Sequence, residues 1–272
     1  MIKFCHISPT HHLDDFTFLS EAHLLLAHLV EESPTYRSYW KNLDDGKEKI
    51  LDNSAFEMFQ RGEEMMDPSK LIDLGKEVGA DYIVMSDYPN EPAIKTMHCA
   101  RKQTPEFRNA GFKTFFVPQS REGNYKEYIE CFLWGHKNAD KIGISIIGCP
   151  NAFGVLNNPL QRFNSRRWFL QLLMKDSRVT IHEITNLHFL GMLDGPNEID
   201  FVREFHSMID SWDSSAAIWA GLNGIEFDET PTGLVNGKYE KEVDFDFITY
   251  DSNSISSAHK NAMTINKKCS QF

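Results

Sequence analysis

Short apolar runs alternate along this chain with longer stretches whose apolar positions recur at helical spacing. Strand-like runs are read at residues 3–7, 50–52, 81–87, 112–119, 141–147, 187–192 and 209–212. Between them, helical spacing is read at 18–30, 92–110, 125–136, 161–174 and 197–206, with a further helix opening at Asp67-Pro68 and closing at Gly79. The Ser20-Glu21-Ala22-His23 run offers a cap for the first helix, and Leu24, Leu25, Leu26, Leu29 and Val30 form its apolar face. Asp at a cap followed by Pro is a usual helix opening. Residues 8–14, 58–67 and 148–160 read as loops, the second a candidate active-site loop.

Strands that alternate with helices are the signature of βαβ units and a parallel sheet. The expected fold is α/β, a (β/α)8 TIM barrel, regular or irregular, in one domain covering residues 1–272. A doubly wound open sheet is the runner-up. An eighth strand is sought at 243–250, where an irregular segment is the other reading. Residues 216–272 lose the alternation and read as a less regular extension. Within it, 230–238 resembles a hairpin turn and 251–272 a tail or a short helix.

Composition narrows the class. Of 272 residues, 41% are hydrophobic and 25% charged, as in a globular protein with a sizeable core. No apolar run approaches the roughly 20 residues that span a bilayer, so no membrane partner is expected. Met1-Ile2-Lys3-Phe4-Cys5-His6 has no signal-peptide pattern. The five cysteines are odd in number and form no CxxC pair. Reduced thiols and a cytoplasmic location are expected, without a metal or other cofactor. His6, His11 and His12 lack a matching acid at ligand spacing and read as loop or core. A net charge of −11 argues against a broad nucleic-acid surface and leaves room for a local patch. Arg162, Arg166 and Arg167 are the candidates for that patch, a solvated helix face being the other reading.

Several apolar runs end in an acid or amide: Asp52, Asp87, Gln119 and Asp213. Parallel α/β folds place chemistry at this edge of the sheet. Two converging carboxylates suit displacement at an anomeric carbon, one attacking while the other moves protons. A further acid and amide suit a purine edge, accepting from N1–H and the 2-amino group and donating to O6.

Taken in order, these segments resemble the tRNA-guanine transglycosylase family. The family's Asp-Ser-Gly-Gly-(Phe/Tyr)-Gln motif is similar to Asp52-Asn53-Ser54-Ala55-Phe56-Glu57. Its Leu-Gly-x-Asp strand and buried Asp are similar to Val78-Gly79-Ala80-Asp81 through Asp87. Val-Gln-Gly-Gly is similar to Val117-Pro118-Gln119-Ser120, and Gly-Gly-Leu to Ile142-Gly143-Ile144. Leu-Met-Gly is similar to Phe189-Leu190-Gly191, and Ile-Asp-x-Phe-Asp-Cys to Ile209-Asp210-Ser211-Trp212-Asp213-Ser214. Ser54-Ala55 departs from the Gly-Gly, and Asp87-Tyr88-Pro89 from an Asp-Glu-Cys. The Cys-rich zinc module and the Arg-rich stretch after the nucleophile are absent from the sequence. The compact chain therefore resembles the phage-type DNA-guanine transglycosylases, which exchange guanine in DNA for a 7-deazaguanine.

The resemblance implies Asp213 as nucleophile on C1′ and Asp52 as general acid/base, with Asp210 the competing nucleophile. It implies Asp87 and Gln119 as readers of the base edge. The backbone at Gly143 and Ile144 would contact the 6-position, and Phe56 and Leu190, beside Gly191, would sandwich the ring. Partners would be DNA, or alternatively tRNA, and a free 7-deazaguanine base such as preQ0 or preQ1. The location would be host cytoplasm for a phage-borne chain. Two other classes stay open: a non-catalytic nucleic-acid-binding paralogue, and an unrelated barrel lyase or hydrolase that uses the same acids with a metal or a Lys at a strand end.

Overall fold

The structure is a computed structural model that describes residues 1–234 and 243–271. Eight parallel strands form one sheet: β1 (Lys3–His6), β2 (His23–Leu26), β3 (Lys49–Asp52), β4 (Tyr82–Val84), β5 (Lys113–Phe116), β6 (Lys141–Ser145), β7 (Leu187–Leu190) and β8 (Ile209–Ser214). The order β1-β8-β7-β6-β5-β4-β3-β2 leaves β1 and β2 as the two ends. These ends meet, for Glu21 N, just before β2, donates to Phe4 O of β1 at 2.9 Å. The chain is a nearly closed (β/α)8 TIM barrel, not an open sheet.

The helices are α1 (Leu13–Phe16), α2 (Ala27–Glu32), α3 (Pro34–Asn42), α4 (Ala55–Arg61), α5 (Pro68–Val78) and α6 (Ala93–Asn109). They continue with α7 (Tyr125–Asn138), α8 (Gly148–Ala152), α9 (Pro159–Leu173), α10 (Glu198–Phe201), α11 (Ala216–Leu222) and α12 (Ser252–Ser270). Local chemistry sets their ends. At α5 the Asp67 side chain accepts from Ser69 N, Pro68 occupies the first turn, and Gly79 closes the helix at φ +67°. Phe115, Phe116, Ile142, Phe189 and Trp212 are fully buried in the wall and interior. Each large apolar side chain contributes about 1.5–3 kcal/mol by leaving water.

The eighth strand lies at β2, inside the stretch whose spacing reads as one helix over 18–30. Leu24-Leu25-Leu26 is an unbroken apolar run, and all four residues of β2 are buried. A parallel barrel strand, covered on both faces, has the same signature as a buried helix turn. Ser20 caps no helix; its Oγ accepts from His6 N at 2.9 Å and ties the end of β1 to the approach to β2. Part of the 58–67 loop is helical, in α4. Residues 198–208 hold the short α10 and a 3-10 turn in place of one long helix.

Residues 243–250 are irregular and add no strand to the sheet. They lie over the loops that follow β1 and β2. Thr10 N donates to Phe245 O at 2.8 Å, and the Phe245 ring meets His28 edge-on. The 230–238 hairpin turn lies partly outside the described residues. The expected tail is α12, capped by Asp251, which accepts from Asn253 N and Ser254 N. This helix packs so closely on α11 that a Cβ on Gly221 would meet Ala258 Cα at 2.2 Å. It covers the seam beside β1 as the eighth helix of the barrel.

Candidate active site at the barrel mouth

Asp52 ends β3, and the turn that follows is built by side chains. Asp52 Oδ2 accepts from Ser54 N at 2.9 Å, and Asn53 Oδ1 accepts from Ala55 N at 2.8 Å. Ser54 takes the left-handed conformation, φ +56° and ψ +32°, which a non-glycine residue adopts only at a cost. Its Oγ accepts from His28 N at 3.1 Å and meets His28 Nδ1 at 2.8 Å, contacts that offset the cost. A glycine takes this conformation freely, but the Ser54 hydroxyl adds the clamp to α2.

The Asn53 amide continues across the mouth. Its Nδ2 donates to Met85 O at 2.7 Å and to Asp87 Oδ1 at 2.9 Å. Asp87 Oδ2 accepts from Gln119 Nε2 at 2.6 Å. Each oxygen of Asp87 is thus held by one amide, and both Asp87 and Gln119 are buried. Burial pushes the Asp87 carboxyl up to about 6, against the two amide hydrogen bonds that favour its charged form. Gln119 Oε1 has no hydrogen-bond partner among the described residues, and Gly148 leaves the space beside it.

Asp213, near the end of β8, is buried. Its Oδ1 meets His188 Nε2 of β7 at 2.9 Å and accepts from Gly191 N at 3.2 Å. His188 Nδ1 meets Ser211 Oγ at 2.8 Å. Burial lowers the His188 basicity, although the Asp213 hydrogen bond and charge work the other way.

The acids at these strand ends feel one another. The Asp52 carboxyl is pushed well above the ordinary range, first by desolvation, then by the Glu57 charge, with Asp87 and Asp213 adding to it. A carboxyl so placed holds its proton more tightly than a free one, the direction that a general acid needs. Asp210 sits at the opposite end of the barrel. There it accepts from Lys141 Nζ at 2.8 Å and Lys3 Nζ at 3.1 Å. Burial raises its pKa, but Lys141 outweighs that and holds it below the usual range.

The other expected site residues divide. Phe56 lies on the first turn of α4, 45% exposed, and Leu190 is half-buried at the end of β7. Gly191, at φ +75°, gives its amide to Asp213 and its carbonyl to Arg166 and Trp212. Gly143 is needed for packing, since a Cβ there would meet Phe115 at 2.5 Å and Leu190 at 2.6 Å. Ile144 O accepts from Arg166 Nη1 at 3.1 Å. The Ile144 carbonyl is therefore engaged by Arg166 inside the wall.

The arginine cluster corrects the expected phosphate patch. Arg162 is buried in a two-pronged pair with Asp194, at 2.8 and 2.7 Å. Arg166 is fully buried in a two-pronged pair with Glu198, both bonds 2.7 Å, and also donates to Ile144 O, Leu190 O and Gly191 O. Only Arg167 reaches the surface, where it pairs with Glu204 at 2.9 Å. Acids 32 and 37 positions downstream claim all three, so spacing alone did not reveal the pairs.

His6 and His12 have side-chain partners, Asn266 on α12 and Asp15 on α1, while His11 is exposed. Among the described residues, no group of three or more His, Cys, Asp or Glu forms a metal site, and no helix is long and apolar enough to cross a membrane. Sequence reading passed over Asn53 and His188. His188 did leave a signal, a polar residue in an apolar strand run, because a buried polar group needs a partner.

No family model and no curated protein matches the chain. Among solved structures, a mutant of methylaspartate ammonia lyase from Clostridium tetanomorphum is similar at 10% identity with a TM-score of 0.46; the match covers 100% of this chain and 58% of that one. Catalytic-site mutants of active domain 2 of chitinase from Pyrococcus furiosus are similar at 14% identity with a TM-score of 0.39, covering 89% and 78%. This chain thus spans well under two thirds of the lyase.

Proposed function

We propose that the chain is a base-exchange enzyme, a guanine transglycosylase that replaces guanine in DNA with a 7-deazaguanine through a glycosyl-aspartate intermediate. The observation that carries this reading is a buried carboxylate–amide pair, Asp87 and Gln119, at the same barrel mouth as Asp52 and Asp213. The Asp87 carboxylate suits the N1–H and 2-amino donors of guanine, and the second N–H of Gln119 suits O6. A 7-deazaguanine keeps that edge, so one reader serves both the departing and the entering base. The depth of the pair calls for an extruded nucleotide.

In the first half-reaction, an Asp213 oxygen forms a bond to C1′ as the C1′–N9 bond breaks. The electron pair leaves with the base, which takes the Asp52 proton. In the second, Asp52 removes the N9 proton of the entering base, N9 attacks C1′, and the C1′–O pair returns to Asp213. The test incubates the protein with guanine-containing DNA and preQ0 or preQ1, followed by mass spectrometry of the nucleosides. Incorporation of the 7-deazaguanine into DNA is expected. Incorporation into tRNA alone moves the substrate, and none into either refutes the reading.

A further inference from the structure

We infer, on the exchange reading above, that His188 is a positioning residue: held by Ser211 and Lys141, it presents Asp213 Oδ2 to C1′ and stabilises the carboxylate when it is released. The geometry is a string of side chains through the barrel interior. Lys141 Nζ enters from the floor and lies 2.5 Å from Glu48 Oε1, 2.8 Å from Asp210 Oδ2 and 3.3 Å from Ser211 Oγ. An ammonium has three donors and no acceptor, so Ser211 Oγ accepts from it. The single Ser211 hydrogen then has two places to go, His188 Nδ1 at 2.8 Å or Asp210 Oδ2 at 3.4 Å, and the shorter contact wins.

With Nδ1 accepting, the imidazole carries its hydrogen on Nε2. That hydrogen points at Asp213 Oδ1, 2.9 Å away. Burial and the nearby Lys141 charge oppose a second proton on the ring. The hydrogen bonds to Asp213 from His188 and Gly191 both fall on Oδ1, and none among the described residues falls on Oδ2. Rotation of the carboxylate is therefore fixed, and Oδ2 is the oxygen that attacks.

The string acts differently on the two half-reactions. Donors on Oδ1 stabilise a carboxylate more than an ester. When C1′–Oδ2 breaks and the electron pair returns to Asp213, the His188 and Gly191 N–H groups receive the developing charge. Loss of the His188 donor should slow this release more than the attack.

The experiment measures steady-state exchange and the fraction of protein trapped as adduct on denaturing gels. His188→Phe should exchange about 100-fold more slowly, the effect of removing one preorganised donor, yet carry a larger adduct fraction than wild type. His188→Gln, which keeps an N–H, should recover about tenfold of that loss. Ser211→Ala, a milder change should the histidine variants fold poorly, is read by 15N NMR of the imidazole. Wild type should show the neutral Nε2–H form, and the variant a mixture with Nδ1–H. An unchanged rate in His188→Phe, a proportionate loss of exchange and adduct without rescue by Gln, or a wild-type Nδ1–H or imidazolium form overturns the assignment. A wild type that forms no adduct removes the exchange reading and this role together. A wild-type adduct with unaltered His188→Phe kinetics removes this role alone.

Discussion

Gln119 Nε2 donates to Asp87 Oδ2 at 2.6 Å, while Gln119 Oε1, also buried, has no hydrogen-bond partner among the described residues. The amide is therefore held through its nitrogen, and one N–H remains to meet an acceptor. Asp87→Asn replaces one accepting oxygen by a donor that faces the donors of the base. Affinity for guanine should fall about 10- to 100-fold, as expected when donors of the base lose their acceptor. Unaltered binding in calorimetry would remove Asp87 from the base site.

The same carboxyl makes a pH prediction. Its folded pKa, about 6, lies above the ordinary 3.8, so the folded protein holds the extra proton between these values. Stability from this group is full at low pH and is lost as pH rises through 6. Relative to Asp87→Asn, wild type should lose about 2 kcal/mol between pH 4 and pH 7. Denaturant unfolding at both pH values checks it; parallel stability curves would mean that Asp87 titrates normally.

A Cβ on Gly148 would sit 2.8 Å from Gln119 Oε1. The amide end of a side chain can move, so Gly148→Ala should fold with a stability change of about 1 kcal/mol or less. The displaced Gln119 should weaken base binding about tenfold. A variant with wild-type base affinity would show that Gln119 is a structural partner of Asp87 only.

Removing the proposed nucleophile, Asp213→Ala, should abolish exchange and the trapped adduct together. Asp52→Asn should slow exchange about 100-fold or more, the usual share of general acid–base catalysis, while some adduct survives. Asp210→Ala should leave the adduct in place, because Asp210 pairs with Lys141 and Lys3 at the far end of the barrel. An adduct that persists without Asp213 and vanishes without Asp210 would reverse the assignment.

Arg166 is tested by stability, not salt dependence. Arg166→Met leaves Glu198 buried without its partner, which costs about 3–5 kcal/mol. Thermal unfolding should report that loss. If stability holds while the salt slope of DNA binding flattens, the guanidinium serves phosphates after all.

What the sequence determined by itself is local in origin. The alternation of apolar runs with helical spacing, the Asp67-Pro68 opening and the Gly79 close lie within a few residues of one another. They suffice for a parallel sheet of βα units, barrel or doubly wound, and an apolar run ending in Asp52 or just before Asp87 marks the edge that carries the site; closure into a barrel belongs to the tertiary structure. Tertiary structure decided whatever depends on a distant partner. Leu24-Leu25-Leu26 became a strand because β3 offers its ladder and helices cover it, although its residues suit a helix equally well. Arg162 and Arg166 became buried ion pairs because α9 faces Asp194 and Glu198, 32 residues away. His188 met Asp213 across 25 positions, once β7 and β8 lay side by side. Hydrophobic period and turn chemistry act over a few residues of chain, whereas pairing of buried charges and polar groups acts through space, and only the closed barrel brings those groups together.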